Sequence, residues 1–345
     1  MDTTLRDGEQ TQSVAFSPQE KLGIAKMLLH ELNVDRIEVA NARISSGELK
    51  AVKNITSWAK KQKLLGQVEV LGFVDFDLSA EWIRKAGAKI MNLLAKGSLK
   101  HCKLQLGKTP KEHFADVEKT IAIARNKGLK VNVYLEDWSN GMLESRNYVF
   151  AFTEHLLGLG IKRIILPDTL GILSPTKTRE LVEIMVKRFP KTKFDFHAHN
   201  DYGLATANTL AAIEAGCHSV HATLNGLGER CGNAPLDEVV AAIADHTNFK
   251  TKVNEKSIYR ASKVAETFSG KRLAGNKPVS GEMVFTQTAG IHADGDQKGN
   301  LYANKLLPKR FGRQREYALG KLSGKSSLEL NLKKLGIELN TMQKK

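Results

Sequence analysis

The sequence predicts an α/β protein, a (β/α)8 TIM barrel followed by a smaller post-barrel subdomain. Three observations lead there. Strand, loop and helix signals recur about every 31 residues. Most candidate strands are short β-branched or apolar runs without polar alternation, as in parallel strands buried on both faces. Eight such units occupy about 250 residues, and no GxGxxG follows the first strand, which argues against a doubly wound open sheet.

Taken in order, the candidate strands are Asp2–Arg6, Asp35–Ala40, Val68–Val74, Ile90–Ala95, Val131–Glu136, Arg163–Pro167, Phe194–His199 and Ser219–Leu224. Met1 leaves the first almost no length, so a few further residues are expected upstream of it. Between strands, apolar residues recur at helical spacing, as in Leu22, Ile24, Ala25, Leu28 and Leu29 of the predicted helix Lys21–Leu32. Ser17-Pro18-Gln19-Glu20 supplies that helix with an N-cap, a proline at N1 and a capping-box glutamate. Ser174-Pro175 repeats the start signal before a helical run over Arg179–Phe189, and Pro190 ends it. The rhythm stops near Asn248, so the barrel is expected over 1–250 and the subdomain over 251–345. The latter reads as a helix at Lys256–Phe268, an irregular Gly-rich stretch at Lys277–Arg313 and a short amphipathic end at Ser326–Leu339.

Composition narrows the function classes. A 41% hydrophobic and 26% charged chain is that of a globular protein, and no run of about 18 apolar residues marks a membrane span. The start Met-Asp-Thr-Thr-Leu-Arg-Asp has no apolar signal-peptide core, and Cys102, Cys217 and Cys231 show no disulfide-like or CxxC spacing. A reducing cytoplasm is therefore expected. The net charge of +15 would suit a nucleic-acid partner, but Gly270–Lys345 carries fifteen Lys/Arg against six Asp/Glu, +9 of the total. Aromatics at 6% form no stacking stripe, so no nucleic acid is expected. A solvated surface or a platform for a small polyanion accounts for the basic end.

In such barrels chemistry sits at the C-terminal strand ends. Here they are polar: Arg6-Asp7, Tyr134-Leu135-Glu136, Asp168-Thr169, His197-Ala198-His199-Asn200-Asp201 and Asn225-Gly226-Leu227-Gly228-Glu229-Arg230. His-x-His on a strand sends both imidazoles to one face. With Asp7 at the same mouth, His197 and His199 make a set suited to a catalytic divalent metal, and Asn233 could add an amide oxygen or be a turn residue beside Gly232. Zn²⁺, Mn²⁺, Mg²⁺ and Co²⁺ all accept such ligands. Arg6 would stabilise an oxyanion at a metal-bound carbonyl. It would also pair with a barrel carboxylate such as Glu136, which could orient Arg6 or act as a base.

Asp-Thr-Thr-Leu-Arg-Asp-Gly-Glu-Gln (2–10), His-Ala-His-Asn-Asp-Tyr-Gly-Leu-Ala (197–205) and Asn-Gly-Leu-Gly-Glu-Arg-Cys-Gly-Asn (225–233) resemble the 2-isopropylmalate, citramalate and homocitrate synthase family. Phe-Thr-Gln-Thr-Ala-Gly-Ile-His-Ala-Asp (285–294) resembles its post-barrel segment. The resemblance implies condensation of acetyl-CoA with a 2-oxo acid, followed by thioester hydrolysis. It implies a metal that chelates the 2-oxo acid, with Arg6 stabilising the alkoxide and Glu136 or His292, assisted by Tyr302, as the base. It further implies a homodimer in which His292 and Tyr302 reach the partner's barrel mouth, and a CoA-binding use for Lys298, Lys305, Lys309, Arg310 and Arg313.

By similarity, Leu71, Leu94 and Tyr134 line the pocket for the substrate side chain and Thr169 binds its carboxylate. A tyrosine flanked by leucines suits the methyl of pyruvate better than the branched 2-oxoisovalerate, and Tyr-Leu-Glu-Asp-Trp-Ser-Asn-Gly (134–141) looks like citramalate synthases. An apolar pocket offers nothing to the second carboxylate that homocitrate synthesis requires. The chain stops before the regulatory domain of longer members, so no feedback inhibition is expected. A lyase acting on 3-hydroxy-acyl-CoA would share the barrel and the His-x-His but use a loop cysteine; Cys231 reads instead as a small packed residue.

Overall fold

The computed structural model describes residues 1–321, 323–337 and 340. Seven parallel strands lie side by side in sequence order: β1 (Ile37–Asn41), β2 (Val68–Phe73), β3 (Ile90–Lys96), β4 (Lys130–Glu136), β5 (Arg163–Asp168), β6 (Lys193–Ala198) and β7 (Ser219–Val220). The predicted first strand, Asp2–Arg6, is reduced to one residue, yet it closes the ring. Asp2 bridges in parallel to Ile37 on one side and Ala222 on the other. Asp2 N–H donates to Arg36 O (2.9 Å), Glu38 N–H to Asp2 O (2.9 Å) and Thr3 N–H to Ala222 O (2.9 Å). The result is the TIM barrel, with one strand reduced to a stub.

The stub ends early because the Asp2 carboxylate accepts from Thr4 N–H (2.9 Å) and Thr4 Oγ1 (3.0 Å). A short side chain that binds its own backbone competes with a ladder. The chain then turns, and Thr3 O accepts from the N–H groups of Arg6, Asp7 and Gly8. The last predicted strand, Ser219–Leu224, likewise pairs as a strand only over Ser219–Val220, and Thr223 bridges to Pro235 instead.

Helix starts follow their sequence signals. At Pro18–Lys26 the Ser17 side chain accepts from Glu20 N–H and Glu20 returns the bond to Ser17 N–H (2.7 Å), the reciprocal capping box. The predicted Lys21–Leu32 continues as a π-helical turn over Met27–Glu31. Ser174 caps a helix over Pro175–Arg188 that stops before Pro190. Between sheet and helices lies one apolar core, with Val39, Val70, Leu93, Val133 and Ile164 fully buried.

The barrel interior is polar rather than filled with branched aliphatic layers. Asn92 Nδ2 donates to Glu38 Oε1 (2.6 Å) and Glu69 Oε2 (2.9 Å). Arg36 joins Glu69 (2.9 Å) to Asp195 (2.7 Å), and His221 Nε2 lies 3.4 Å from Asp195. Tyr134 Oη, 3.2 Å from both His221 Nδ1 and Glu38 Oε2, completes a closed cycle of buried groups. Each charge keeps opposite-charge or hydrogen-bonding partners, the condition for burying it.

After the barrel, a helix at Ile258–Ser269 docks on the loop after β7, where Ser262 Oγ donates to Asn225 Oδ1 (2.6 Å). Further on, β8 (Thr286–Gln287) and β9 (Glu316–Tyr317) form a short parallel pair beside helices at Gly290–Gln297 and Lys325–Lys334. The predicted end, Ser326–Leu339, is helical to Lys334, and Leu339 lies outside the described residues. Among those residues no helix is long and apolar enough to cross a membrane.

Candidate active site

The turn after the Asp2 stub and the end of β6 meet at the barrel mouth. Asp7, His197 and His199 present one ligand atom each, all within 4.8 Å of one another, and all three residues are buried. His197 Nε2 is 2.9 Å and His199 Nε2 3.9 Å from Asp7 Oδ2. Both Asp7 oxygens nevertheless lack hydrogen-bond partners, as do Nδ1 of each histidine and Oδ1 of Asn233. Buried polar atoms are rarely left unpaired, and five such atoms on these four residues suit a cation. Burial holds His199 down to about pKa 4, so at neutral pH it offers a lone pair. Burial alone would raise Asp7, but Arg6 and the two imidazoles bring it well below the usual carboxylate range.

Asn233 is set beside this group by the glycine-rich loop. Its backbone bridges to His199, and its Nδ2 donates to Leu227 O (2.9 Å), which leaves Oδ1 free. A Cβ on Gly228 would lie 2.3 Å from Asn233 Nδ2, and one on Gly232, at φ +84°, would lie 1.9 Å from Gly226 O. Side chains at either position would displace Asn233.

Arg6 is held from three directions. Nε donates to Glu38 Oε2 (2.5 Å), Nη2 donates to Tyr134 Oη (3.1 Å), and Nη1 lies 3.4 Å from Asp7 Oδ2. Its carboxylate partner is thus Glu38, not Glu136. Glu136 instead forms an ion pair with Lys96, directly across the β3–β4 register.

A cavity of about 170 Å³ opens over these groups. Arg6, Asp7, Glu136, His197 and His199 line it, as do Leu71, Leu94, Tyr134 and Thr169. The sequence reading therefore meets here in nine of its residues, with Asn233 adjoining. Tyr134 is 2% exposed, and its ring packs with Leu71 and Ile165 against Phe73 and Leu94. Burial, with Glu38 close by, pushes its phenol well above the ordinary value, so it stays protonated. Thr169 Oγ1 accepts from Asp137 N–H (2.9 Å), which leaves its hydroxyl proton to donate elsewhere.

His292 and Tyr302 pack at a tilt on each other with ring centroids 4.2 Å apart, but neither lines this cavity of their own chain. Cys231, read from sequence as packed, is exposed. Most of the basic residues considered for CoA are engaged within the chain: Arg310 with Asp245 and Glu255, Lys298 with Asp294, Lys305 with Asp245 O, and Arg313 with Gly281 O and Glu282 O. Glu38, Lys96, Asp195 and His221 were missed. The available signal was a charge or imidazole inside a run otherwise fit for a buried strand, as in Ile-Glu-Val-Ala and Phe-Asp-Phe.

The HMGL-like family model matches residues 1–265, and a homocitrate synthase post-HMGL domain-like model matches 279–345. The chain belongs to the HMGL-like family and, within it, to the group of 2-isopropylmalate, citramalate and homocitrate synthases. It is 35% identical to an (R)-citramalate synthase CimA of Methanocaldococcus jannaschii, over 99% of this chain and 68% of that protein. It is 35% identical to a probable 2-isopropylmalate synthase of Ignicoccus hospitalis (97% and 82%) and 34% identical to a homocitrate synthase of Saccharolobus islandicus (99% and 72%). It spans 66% of the length of a further relative, from Methanopyrus kandleri, to which it is 36% identical. A solved hydroxymethylglutaryl-CoA lyase from Pseudomonas aeruginosa shares the fold, with a TM-score of 0.65 and 18% identity over 82% of this chain and 96% of that one.

Proposed function

We propose that the chain catalyses a divalent-metal-dependent Claisen condensation of acetyl-CoA with pyruvate, followed by thioester hydrolysis, as a citramalate synthase. The observation that carries the choice of pyruvate is the Tyr134 wall of the cavity. Tyr134 is pinned through its hydroxyl to Arg6 and Glu38 and packs beside Leu71 and Leu94, an apolar wall suited to a methyl group. A pocket discriminates by about 1–3 kcal/mol per methylene, and a pinned ring cannot swing aside to admit a branch.

Asp7, His197, His199 and the Asn233 amide oxygen would hold the metal, which when bound polarises a keto oxygen as a Lewis acid. Thr169 donates its hydroxyl proton to the substrate carboxylate. Glu136 removes a methyl proton from acetyl-CoA, the carbanion attacks the keto carbon, and the Arg6 guanidinium stabilises the alkoxide. The alkoxide takes up a proton, and water then cleaves the thioester and releases CoA thiol.

The proposed post-barrel subdomain begins near residue 251 and supplies His292 and Tyr302 to a partner protomer's mouth. Their chain neighbours Ile291 and Leu301 are 67% and 70% exposed, apolar side chains suited to burial between two copies.

Thiol release from acetyl-CoA with Mn²⁺ or Mg²⁺, compared across pyruvate, 2-oxoisovalerate and 2-oxoglutarate, tests the reading. Release with pyruvate is expected. Preference for 2-oxoisovalerate overturns the pocket argument, and silence with all three overturns the synthase reading. For the composite site, Glu136→Gln and His292→Ala, each inactive alone, should recover about a quarter of the activity when co-assembled as a symmetric dimer. No recovery rejects the shared site.

A further inference from the structure

The end of β3 is fixed more tightly than a strand end requires. Lys96 N–H donates to His113 Nε2 (3.4 Å), and the Tyr148 hydroxyl donates to Lys96 O (3.0 Å). His113 Nδ1 lies 2.9 Å from Tyr148 Oη. One proton arrangement satisfies all three contacts: His113 is neutral, accepts at Nε2 and donates from Nδ1 to Tyr148. Burial brings the His113 pKa down to about 4, so the neutral ring is the one present at neutral pH. His113 and Tyr148 come from the helices Pro110–Asn126 and Arg146–Gly158, and both are buried. Two helices of the outer ring therefore clamp both backbone groups of a single residue.

That residue carries the ammonium paired with Glu136. The neighbouring backbone repeats the lock. Gly97 N–H donates to Glu136 O (2.6 Å), and a Cβ on Gly97 would lie 2.4 Å from Leu135 O. Glu136 lines the mouth cavity, whereas Lys96 does not. The other ionisable groups facing Glu136 across the cavity are Arg6, Asp7, Tyr134, His197, His199 and Glu229. Asp137 adjoins it in the chain, with His101 3.5 Å from the Asp137 carboxylate. Among the described residues, Lys96 alone forms an ion pair with Glu136.

We propose that Lys96 is a positioning residue for Glu136: held by the His113–Tyr148 clamp, its ammonium keeps the carboxylate ionised and turned toward the cavity as the base. This rests on the role given to Glu136 above. An anchored cation favours the charged carboxylate and cuts its rotamer freedom, so proton abstraction starts from an aligned base.

The test uses Lys96→Met and Lys96→Arg in the metal-loaded full chain. With pyruvate, Lys96→Met should move the acidic limb of the pH profile of kcat/KM upward by about one pH unit. It should lower kcat about tenfold or more, with the KM for pyruvate within about twofold of the parent, and Lys96→Arg should restore both limb and rate. An unmoved limb, or an effect confined to KM, overturns the proposal. A second readout needs no turnover: the side-chain carboxyl ¹³C resonance of Glu136, assigned by its loss in Glu136→Gln, is titrated in parent and Lys96→Met. An upward shift of its titration supports the proposal and an unchanged one rejects it. Silence of the parent with every 2-oxo acid counts against the synthase reading alone.

Discussion

Arg6 lies where the sequence motif, the cavity and the interior network meet. Its guanidinium is shared among Glu38, Tyr134 and Asp7, so its plane is fixed before any substrate arrives. A lysine keeps the charge but cannot span these partners. Arg6→Lys should therefore lower kcat about 100-fold, the scale of losing one oxyanion donor. Bound metal, measured by elemental analysis, should stay near the parent's level; loss of the metal would assign Arg6 a structural role instead. The cavity makes a second prediction at this scale. Tyr134→Ala removes the pinned ring and should raise the kcat/KM ratio of 2-oxoisovalerate to pyruvate about tenfold or more. A ratio that stays constant would place side-chain selection elsewhere.

At the scale of elements, the loop after β7 shows how backbone geometry sets the proposed ligand Asn233. Asn233 is aimed by Gly228 and Gly232, each approached too closely for a Cβ. Gly232→Ala forces a left-handed residue and a carbonyl clash, so metal affinity should fall at least about tenfold, the scale of a lost supporting contact. Calorimetric metal titration checks this, and an unchanged affinity would remove Asn233 from the ligand set. The elements differ in how legible they were. Capping boxes and apolar periodicity are local, so helix starts were read closely. The first strand was not, because whether Asp2 extends a ladder or turns the chain depends on its carboxylate finding Thr4 rather than a neighbour strand. Glu136 was read as a partner of Arg6, yet the strand register set it opposite Lys96, and register is a property of two strands together.

Across the whole molecule, the polar cycle through the barrel links its floor to its mouth. Asp195 binds Arg36 (2.7 Å) and Arg163 (3.2 Å) and lies 3.4 Å from His221. Removing one partner of a buried set leaves the other charges uncompensated, so Asp195→Asn should cost about 3–5 kcal/mol in denaturant unfolding. Acid should weaken the fold for the same reason. Burial alone would raise Asp195, but His221, Arg36 and Arg163 hold it well below the usual range, and burial lowers His113 to about 4. In both cases the unfolded chain binds more protons than the folded one, so stability is lost as pH falls. For His113 the loss runs from its unfolded pKa of about 6.5 down toward its folded value. Unfolding free energies between pH 7 and 4 should decline, and His113→Gln should flatten the upper part of that decline. A parallel decline in the variant would remove His113 from the account.

The sequence by itself determined the barrel, through a strand–helix beat and a buried-strand pattern, and pointed to the candidate metal triad, through polar residues at strand ends. These are legible because period and position along the chain carry them. Only the tertiary structure decided that Glu38 holds Arg6, that Lys96 holds Glu136, and that Tyr134 lines the cavity while joining the interior network. Each of these contacts joins side chains 32 to 128 residues apart in sequence. Barrel closure and strand register bring such groups together, and one-dimensional spacing contains neither.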